Sequence, residues 1–179
     1  IGFLFGAGTS MAAPLTDKAG EETLNDRGRN MPLIPGVWAM TELIVNKITD
    51  DDFKKALEII KEELEDAEKD ENRKKNAFML EGIISLLDQK LRVIGKGELC
   101  GLKKERLKEL RDRFQKEIKT LVSVHQNEDI NIGKSCFLHS DYAKWIRYAA
   151  RKHSVEVFTT NYDYLFEIGF EIGHIWKTD

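Results

Sequence analysis

The sequence predicts an α/β fold in which a parallel sheet carries a large α-helical insertion over about residues 37–127. Two short apolar segments, at residues 2–5 and 155–160, have the composition of strands, and each runs into a polar turn. The region between them is highly charged and has apolar residues at helical spacing. The resulting order of strand, helical insertion, helix, strand and helix is typical of an α/β protein.

The first predicted strand, Gly2-Phe3-Leu4-Phe5, is short and buried, and it leads into Gly6-Ala7-Gly8-Thr9-Ser10. Glycines at such a turn permit positive φ and let backbone N–H groups approach a diphosphate closely. The Ser10 hydroxyl can cap the following helix or add a phosphate contact. Met11 stands where the standard dinucleotide fingerprint has a third small residue, so a plain tight turn is an equal alternative.

The segment Ala12–Gly36 has the composition of a loop, with three prolines and several charged residues. These residues are Pro14, Pro32, Pro35, Asp17, Asp26, Arg27 and Arg29. We expect either a mobile loop that closes over a bound cofactor or an ordinary surface excursion.

The middle of the chain is predicted to form a helical lobe. Between Asp50 and Lys119, 36 of 70 residues are charged, 18 acidic and 18 basic. Three apolar stripes predict a helix capped by the cluster Thr49–Asp52, a second within Asn76–Gly95, and a third over about Leu102–Val124. The stripes are Phe53, Ala56, Leu57, Ile60, Leu64 and Ala67; Ile83, Ile84, Leu87, Leu91 and Ile94; and Leu107, Leu110, Phe114, Ile118 and Leu121. Their charged faces indicate a solvated lobe rather than a catalytic region.

The second predicted strand, Val155–Thr160, is β-branched and aromatic and runs into Asn161-Tyr162-Asp163. A helix over about Ser140–Lys152 precedes it, and another over Tyr164–Ile172 follows. The face of the preceding helix predicted to be buried carries Tyr142, Trp145, Ile146 and Ala149.

Polar residues at the end of this second strand are candidates for ligand binding. Open α/β sheets bind ligands at the carboxyl edge of their parallel strands. Asn161 offers a donor and an acceptor to ribose hydroxyls, and Asp163 accepts from a hydroxyl or an amide. The alternative is an Asn/Asp turn that caps the next helix.

Composition and motif spacing argue against several other functions. With 28 Lys and Arg against 31 Asp and Glu, the net charge of −3 argues against nucleic-acid binding. No apolar run approaches the roughly 20 residues of a transmembrane helix. Two cysteines make neither a disulfide scaffold nor a four-cysteine zinc site, and the four histidines lack metal spacing. We expect a metal-free protein of a reducing, cytoplasmic compartment.

Three further predictions are made from the residues alone. His139 is expected to begin the helix before the second strand rather than to bind an ion. Trp38, Trp145 and Trp176 are expected in the core. Gly133-Lys134-Ser135 lacks the earlier glycine of a P-loop and is expected to be an ordinary loop.

The GAGTS turn and the segment VEVFTTNYDYLFE together resemble the SIR2 superfamily, which has a GAG-x-S loop and a T-x-N-x-D motif after a strand. The helix carrying His139–Trp145 resembles the H-x-x-x-A helix before that motif. The form Asn161–Glu167 is similar to the SIR2-like NAD⁺ hydrolases of bacterial anti-phage defence, whereas the family's deacetylases typically carry Asn-Ile-Asp. The match covers about forty residues at the two ends of the chain.

The resemblance implies a Rossmann-like sheet that binds NAD⁺ as its substrate. It assigns the NAD⁺ diphosphate to Gly6, Ala7, Gly8, Thr9 and Ser10. Asn161 would orient the nicotinamide ribose and the attacking water, and Asp163 would bind the carboxamide or ribose edge. The histidine general base, the remaining strands and any sensor domain are expected after Asp179.

The function that the resemblance implies is hydrolysis of NAD⁺ to release nicotinamide, which depletes NAD⁺ in anti-phage defence. A homo-oligomer is expected, controlled by a sensor domain or by a partner of the NTPase or Argonaute type, with a phage-derived trigger. Two alternatives remain open: a non-catalytic module that binds NAD⁺ or ADP-ribose, and an NAD⁺-dependent protein deacylase.

Overall fold

The computed structural model describes residues 2–15, 22–25, 27, 29–74, 76–124, 138–150, 152–161 and 163–172. The chain divides into two units, residues 1–36 with 120–179 and residues 37–119. In chain order the elements are β1 (Gly2–Phe5), α1 (Ala7–Met11), α2 (Val37–Asn46), α3 (Asp51–Ala67), α4 (Glu71–Lys74), α5 (Leu80–Val93), α6 (Lys104–Val122), α7 (Leu138–Tyr148), β2 (Glu156–Thr159) and α8 (Leu165–Ile172). Within these ranges no helix combines the length and apolarity that crossing a membrane requires.

The two strands pair in parallel, which confirms the predicted combination of helices with a parallel sheet. The register runs from Gly2 opposite Glu156 to Phe5 opposite Thr159, so the carboxyl ends of β1 and β2 lie side by side. The Thr160 N–H donates to the Phe5 carbonyl at 3.2 Å and extends this contact beyond the last pair. The polar turns that follow the two strands therefore begin at neighbouring points.

One face of the sheet is exposed, which contradicts the prediction of a buried first strand. Leu4 and its cross-strand partner Phe158 are 73% and 56% exposed. Because side chains alternate across a strand, Leu4 lies on the opposite face from Phe3 and Phe5. The strand β1 is therefore packed on one face only, although its sequence is apolar on both faces.

The packed face of the sheet is covered by aromatic side chains. Phe5 lies 4.6 Å from Phe166 and 5.2 Å from Tyr142, measured between ring centroids. Phe3 meets Tyr142 and Trp145 edge-on, at 5.8 and 5.9 Å. Edge-to-face arrangements at these separations are favourable beyond the area they bury. This cluster holds β1 against α7 and α8.

The helix α7 buries a different face from the one predicted, and it also begins and ends earlier. Its buried residues are His139, Ser140 and Ala143, whereas Trp145 is 47% exposed. Tyr142, Ile146 and Ala149 are half-buried. The expectation of a core Trp145 was therefore wrong, as was that for Trp38, which is 46% exposed; Trp176 lies outside the described residues.

The shifted face of α7 is explained by close packing against α8. A Cβ atom added at Gly169 would lie 2.7 Å from both the Cβ and the carbonyl carbon of His139. Only glycine permits this separation, and the neighbouring Leu165 and Phe166 are also buried. Close backbone approach thus requires glycine at position 169, and it buries His139 and Ala143 of α7.

The three predicted apolar stripes of the helical unit are confirmed except at Ala67, the last residue of the first stripe, which is exposed. Leu107, Leu110 and Phe114 of α6 are fully buried, as are Ile60 of α3 and Ile83 of α5. The helix α5 packs against both α2 and α3. It begins at Leu80, four residues after the predicted limit, because residues 76–79 form a turn after the short α4.

The helix α2 was not predicted as a separate element, and a side-chain hydroxyl ties it to α5. The Thr41 Oγ1 donates to the Val37 carbonyl at 2.8 Å and accepts from the Leu80 N–H at 3.2 Å. Met40 and Ile44 are buried beside Thr41. The first backbone N–H of α5, which has no partner within its own helix, is satisfied in this way.

The predicted cap of α3 is confirmed, and Asp50 provides it. Its Oδ1 accepts from the N–H groups of Asp52 and Phe53 at 3.0 and 3.1 Å. The Arg106 guanidinium donates to the other carboxylate oxygen and lies 4.1 Å from the Phe53 ring centroid. The hydrogen bond from Arg106 lowers the pKa of Asp50 below its usual 3.8.

Replacement of Gly169 by alanine is expected to destabilise the protein. The new Cβ atom would overlap the His139 backbone, which cannot move without displacing α7, so the free energy of unfolding should fall by about 1–3 kcal/mol. Urea unfolding followed by circular dichroism measures this change. Gly95→Ala is the control, because a Cβ at Gly95 meets nothing within 4 Å. A Gly169→Ala variant as stable as the wild type would contradict the packing described above.

Asp50→Asn is expected to produce a pH-dependent loss of stability. Asparagine can keep the cap but loses the charge that Arg106 binds. Because the pKa of Asp50 is lowered in the folded state, its contribution is present above the usual 3.8 and disappears as the pH falls through the folded-state pKa.

Urea unfolding at pH 7 and at decreasing acidic pH tests this expectation. The difference between wild type and Asp50→Asn should be largest at pH 7 and in low salt, and it should close in acid. Asp52→Asn is the matched control, since it removes a charge from the same turn without removing the partner of Arg106. A difference that grows in acid would rule out this role for the Asp50 charge.

Candidate functional site

Polar side chains from the ends of both strands meet in one hydrogen-bonded cluster. The Ser10 Oγ donates to Asp163 Oδ2 at 2.6 Å, across 153 positions of sequence. The Asn161 Nδ2 donates to Ser10 Oγ at 2.7 Å and to Thr9 Oγ1 at 3.2 Å. The structure therefore brings together four of the predicted site residues, and we call Thr9, Ser10, Asn161 and Asp163 the strand-end cluster.

The directions of these hydrogen bonds leave one acceptor of Asn161 available. The Thr9 hydroxyl donates to the Gly6 carbonyl at 2.7 Å, and the Ser10 hydroxyl donates to Asp163, so both hydroxyls accept from the Asn161 amide nitrogen. Among the described residues, nothing donates to Asn161 Oδ1. That amide oxygen can accept a hydrogen bond from a hydroxyl or from water.

Both carboxylate oxygens of Asp163 accept hydrogen bonds. Its Oδ1 accepts from the Leu165 N–H at 3.1 Å, at the start of α8, while Oδ2 accepts from Ser10. Asp163 is buried. The helix-capping role and the site role, which the sequence presented as alternatives, are thus combined in one side chain. This geometry suits holding Ser10 and α8 in place better than direct contact with a ligand.

The glycines of the GAGTS turn leave open space rather than adopting unusual backbone angles. Gly6 precedes α1 with φ of −118° and ψ of −173°, which any residue can adopt, so the expected use of positive φ was wrong there. A Cβ atom at Gly6 or at Gly8 would meet nothing within 4 Å. Ala7 begins α1. The backbone of this turn is therefore accessible to a ligand at close range.

His139 lies next to this cluster, a position that sequence analysis did not assign to the site. His139 lies in the first turn of α7, close to the predicted start of the helix. The residue is 4% exposed, and its ring packs edge-on against Phe166 with 4.7 Å between the ring centroids. Burial lowers the pKa of His139 from its usual 6.5, and the nearby Asp163 carboxylate opposes this change. The buried imidazole is therefore favoured in its neutral form at pH 7.

A cavity of about 140 Å³ connects His139 with the GAGTS turn. It is lined by Phe5, Thr9, Ala12, Leu138, His139, Tyr142 and Phe166. The only signal for this placement in the sequence was the H-x-x-x-A pattern of α7, because the position of a helix residue relative to a distant turn is set by tertiary packing.

Backbone hydrogen bonds connect the two ends of the segment between α1 and α2. The Leu15 N–H donates to the Met31 carbonyl and the Leu33 N–H to the Ala13 carbonyl, both at 2.7 Å. Ala13 and Leu33 are buried. Asp17 and Asp26 of the predicted loop lie outside the described residues. The described part is thus an ordered excursion, and its closure over a ligand stays a prediction.

Within the described ranges, no group of three or more His, Cys, Asp or Glu side chains could hold a metal ion. Cys100 is a free, buried thiol. His125, His174, Cys136 and the segment Gly133–Ser135 lie outside those ranges.

No protein-family model matches this chain, and no curated protein matches it as a relative.

Ser10→Ala and Asp163→Asn are expected to be strongly coupled in stability. Asparagine at position 163 keeps an oxygen that can cap α8 but loses the charge that receives the Ser10 hydrogen bond. A double-mutant cycle from urea unfolding should give a coupling energy of about 1–3 kcal/mol, as expected for a hydrogen bond to a charged group. Effects that add within about 0.3 kcal/mol would show that this hydrogen bond contributes little.

Proposed function

We propose that this chain belongs to an NAD⁺ hydrolase and forms the Rossmann-like part that binds the dinucleotide. The observation that supports this proposal most directly is the strand-end cluster at the shared carboxyl edge of two parallel strands. Open α/β sheets bind nucleotides at such an edge. The residues that form the cluster are also those of the GAG-x-S and T-x-N-x-D motifs.

In the proposed binding mode, the open turn at Gly6 and the Asn161 amide oxygen contact the dinucleotide. The accessible backbone of the turn that begins at Gly6 receives the diphosphate, because a Cβ-free surface admits close contact with backbone N–H groups. The Asn161 Oδ1 accepts from a hydroxyl of the nicotinamide ribose or from the attacking water. Ser10 and Asp163 hold Asn161 in the required orientation through their hydrogen bonds.

The proposed reaction is a displacement at the anomeric carbon of the nicotinamide ribose. The bond to the nicotinamide nitrogen breaks with its electron pair on nicotinamide, and a water oxygen forms the new bond and gives its proton to a general base. Positive charge develops on the ribose in the transition state, so oriented dipoles and a nearby carboxylate favour it. Fixing the water and the ribose in one geometry by Asn161 lowers the entropic part of the barrier.

The resemblance supplies the rest of the proposal. It implies a histidine general base, and it implies NAD⁺ depletion in anti-phage defence by a cytoplasmic homo-oligomer under a sensor domain or partner protein. The buried His139 is not proposed as that base, since its aromatic surroundings disfavour the charged form that a base must adopt.

A second candidate function is a module that binds NAD⁺ or ADP-ribose without cleaving it. One observation favours it: both carboxylate oxygens of Asp163 are engaged by Ser10 and by the start of α8, which leaves fewer groups for chemistry. Binding alone would require only the open turn and the Asn161 amide.

Asn161→Ala is expected to abolish nicotinamide release. Among the described residues, Asn161 is the one side chain that both contacts the two hydroxyls and offers a further acceptor, so we expect its loss to decrease activity by about 100-fold or more. The assay measures NAD⁺ and free nicotinamide with the complete gene product, with and without lysate of phage-infected cells as a source of activator. Asn72→Ala, an exposed position of α4, is the control and should retain full activity.

The same samples separate the candidate functions. Nicotinamide release by wild type and Asn72→Ala, but not by Asn161→Ala, is the result expected of a hydrolase. Binding of NAD⁺ by calorimetry without release under any condition would favour the binding module. Absence of both binding and release would overturn both candidates.

A further inference from the structure

The helical unit contains a cavity that is separate in sequence from the strand-end cluster. One face of α2 lines it with Trp38, Glu42 and Asn46, which follow the four-residue spacing of a helix face. Residues of α3 and the turn before α5 complete the lining, and the volume is about 480 Å³. Because α5 packs against both α2 and α3, those two helices are held as the walls of a pocket. This volume is within the range of small-molecule sites.

The lining combines aromatic rings with carboxylates. Trp38 and Phe78 provide the aromatic surfaces, Glu42 and Glu65 provide the carboxylates, and Lys61 provides one ammonium group, so the net charge of the lining is negative. Glu65 already has a cation, since its Oε1 lies 3.9 Å from the Lys61 Nζ. Glu42 forms no ion pair among the described residues, so the lining has one negative charge without a partner.

These properties match a positively charged organic ligand. Aromatic faces attract cations through their negative quadrupole, and a carboxylate adds a direct ionic partner. An anionic ligand would instead meet the Glu42 charge. The large exposed surface of Trp38, close to half of its side chain, would be covered by the methylene groups of such a ligand.

We propose that this cavity binds a small organic amine, of the size of a diamine or a decarboxylated basic amino acid, free in solution. A volume of about 480 Å³ suits a free small molecule. In this arrangement the ammonium group pairs with Glu42, and the alkyl chain lies against Trp38 and Phe78. The site is independent of the proposed NAD⁺ chemistry and is tested without it.

The first test compares two ligands of equal length that differ in charge, cadaverine and 1,5-pentanediol. Titration calorimetry of the complete protein, together with the indole N–H resonances in NMR spectra, should show saturable binding of cadaverine. Pentanediol should bind at least about tenfold more weakly, which corresponds to about 1.4 kcal/mol. Equal affinities, or no cadaverine binding at millimolar concentration, would overturn the proposal.

Two variants assign the binding to this cavity. Glu42→Gln removes the unpaired charge at an exposed position and should weaken cadaverine binding about tenfold, whereas Glu62→Gln, on α3 outside the lining, should change it less than about twofold. Trp38→Ala should also weaken binding, and Trp38→Phe should restore most of it. Unchanged affinity in both Glu42→Gln and Trp38→Ala would show that cadaverine binds elsewhere. Binding of a lysine-rich peptide but not of cadaverine would exclude the free amine as the ligand.

Discussion

The parallel register of β1 and β2 is the constraint on which the rest of the first unit depends. Four pairs of residues fix the carboxyl ends of the two strands beside each other. The polar turns that follow the strands therefore lie next to each other. The connection between the strands includes the whole of residues 37–119. Because loop-closure entropy rises only slowly with length, an insertion of this size weakens the pairing little. The aromatic cluster around Phe5 and the Ser10–Asp163 hydrogen bond then hold the pair together.

Much of this arrangement was predictable because it depends on local pattern. The helical stripes of α3, α5 and α6 repeat every three or four residues, and their buried members follow that repeat. The cap at Asp50 needs only its own side chain and the next two N–H groups. The meeting of Ser10 with Asn161 follows from one assumption, that the two strands are parallel neighbours. The helical stripes and the cap need no knowledge of distant packing, whereas the Ser10–Asn161 contact needs this one long-range pairing.

The wrong predictions share a different origin, since each depends on which neighbour covers a side chain. The faces of β1 look equally apolar in sequence, yet Leu4 is exposed while Phe5 is packed. The large residues of α7 suggested its buried face, but Gly169 of α8 draws the helices so close that His139 and Ala143 are buried instead. Trp145 illustrates the same effect: its ring packs on Phe3 and still remains half exposed.

Because both carboxylate oxygens of Asp163 accept hydrogen bonds, one from Ser10 and one from Leu165, this residue has two structural roles. One carboxylate starts a helix and also orients the hydroxyl beside Asn161, so the stability of α8 and the orientation of Asn161 depend on the same side chain. A ligand that immobilises Ser10 must then also oppose local opening of α8, by thermodynamic linkage. A substitution at position 163 therefore alters the start of α8 and the orientation of Ser10 together. A side chain added at Gly8, where a Cβ would meet nothing within 4 Å, has no such double effect on the described structure.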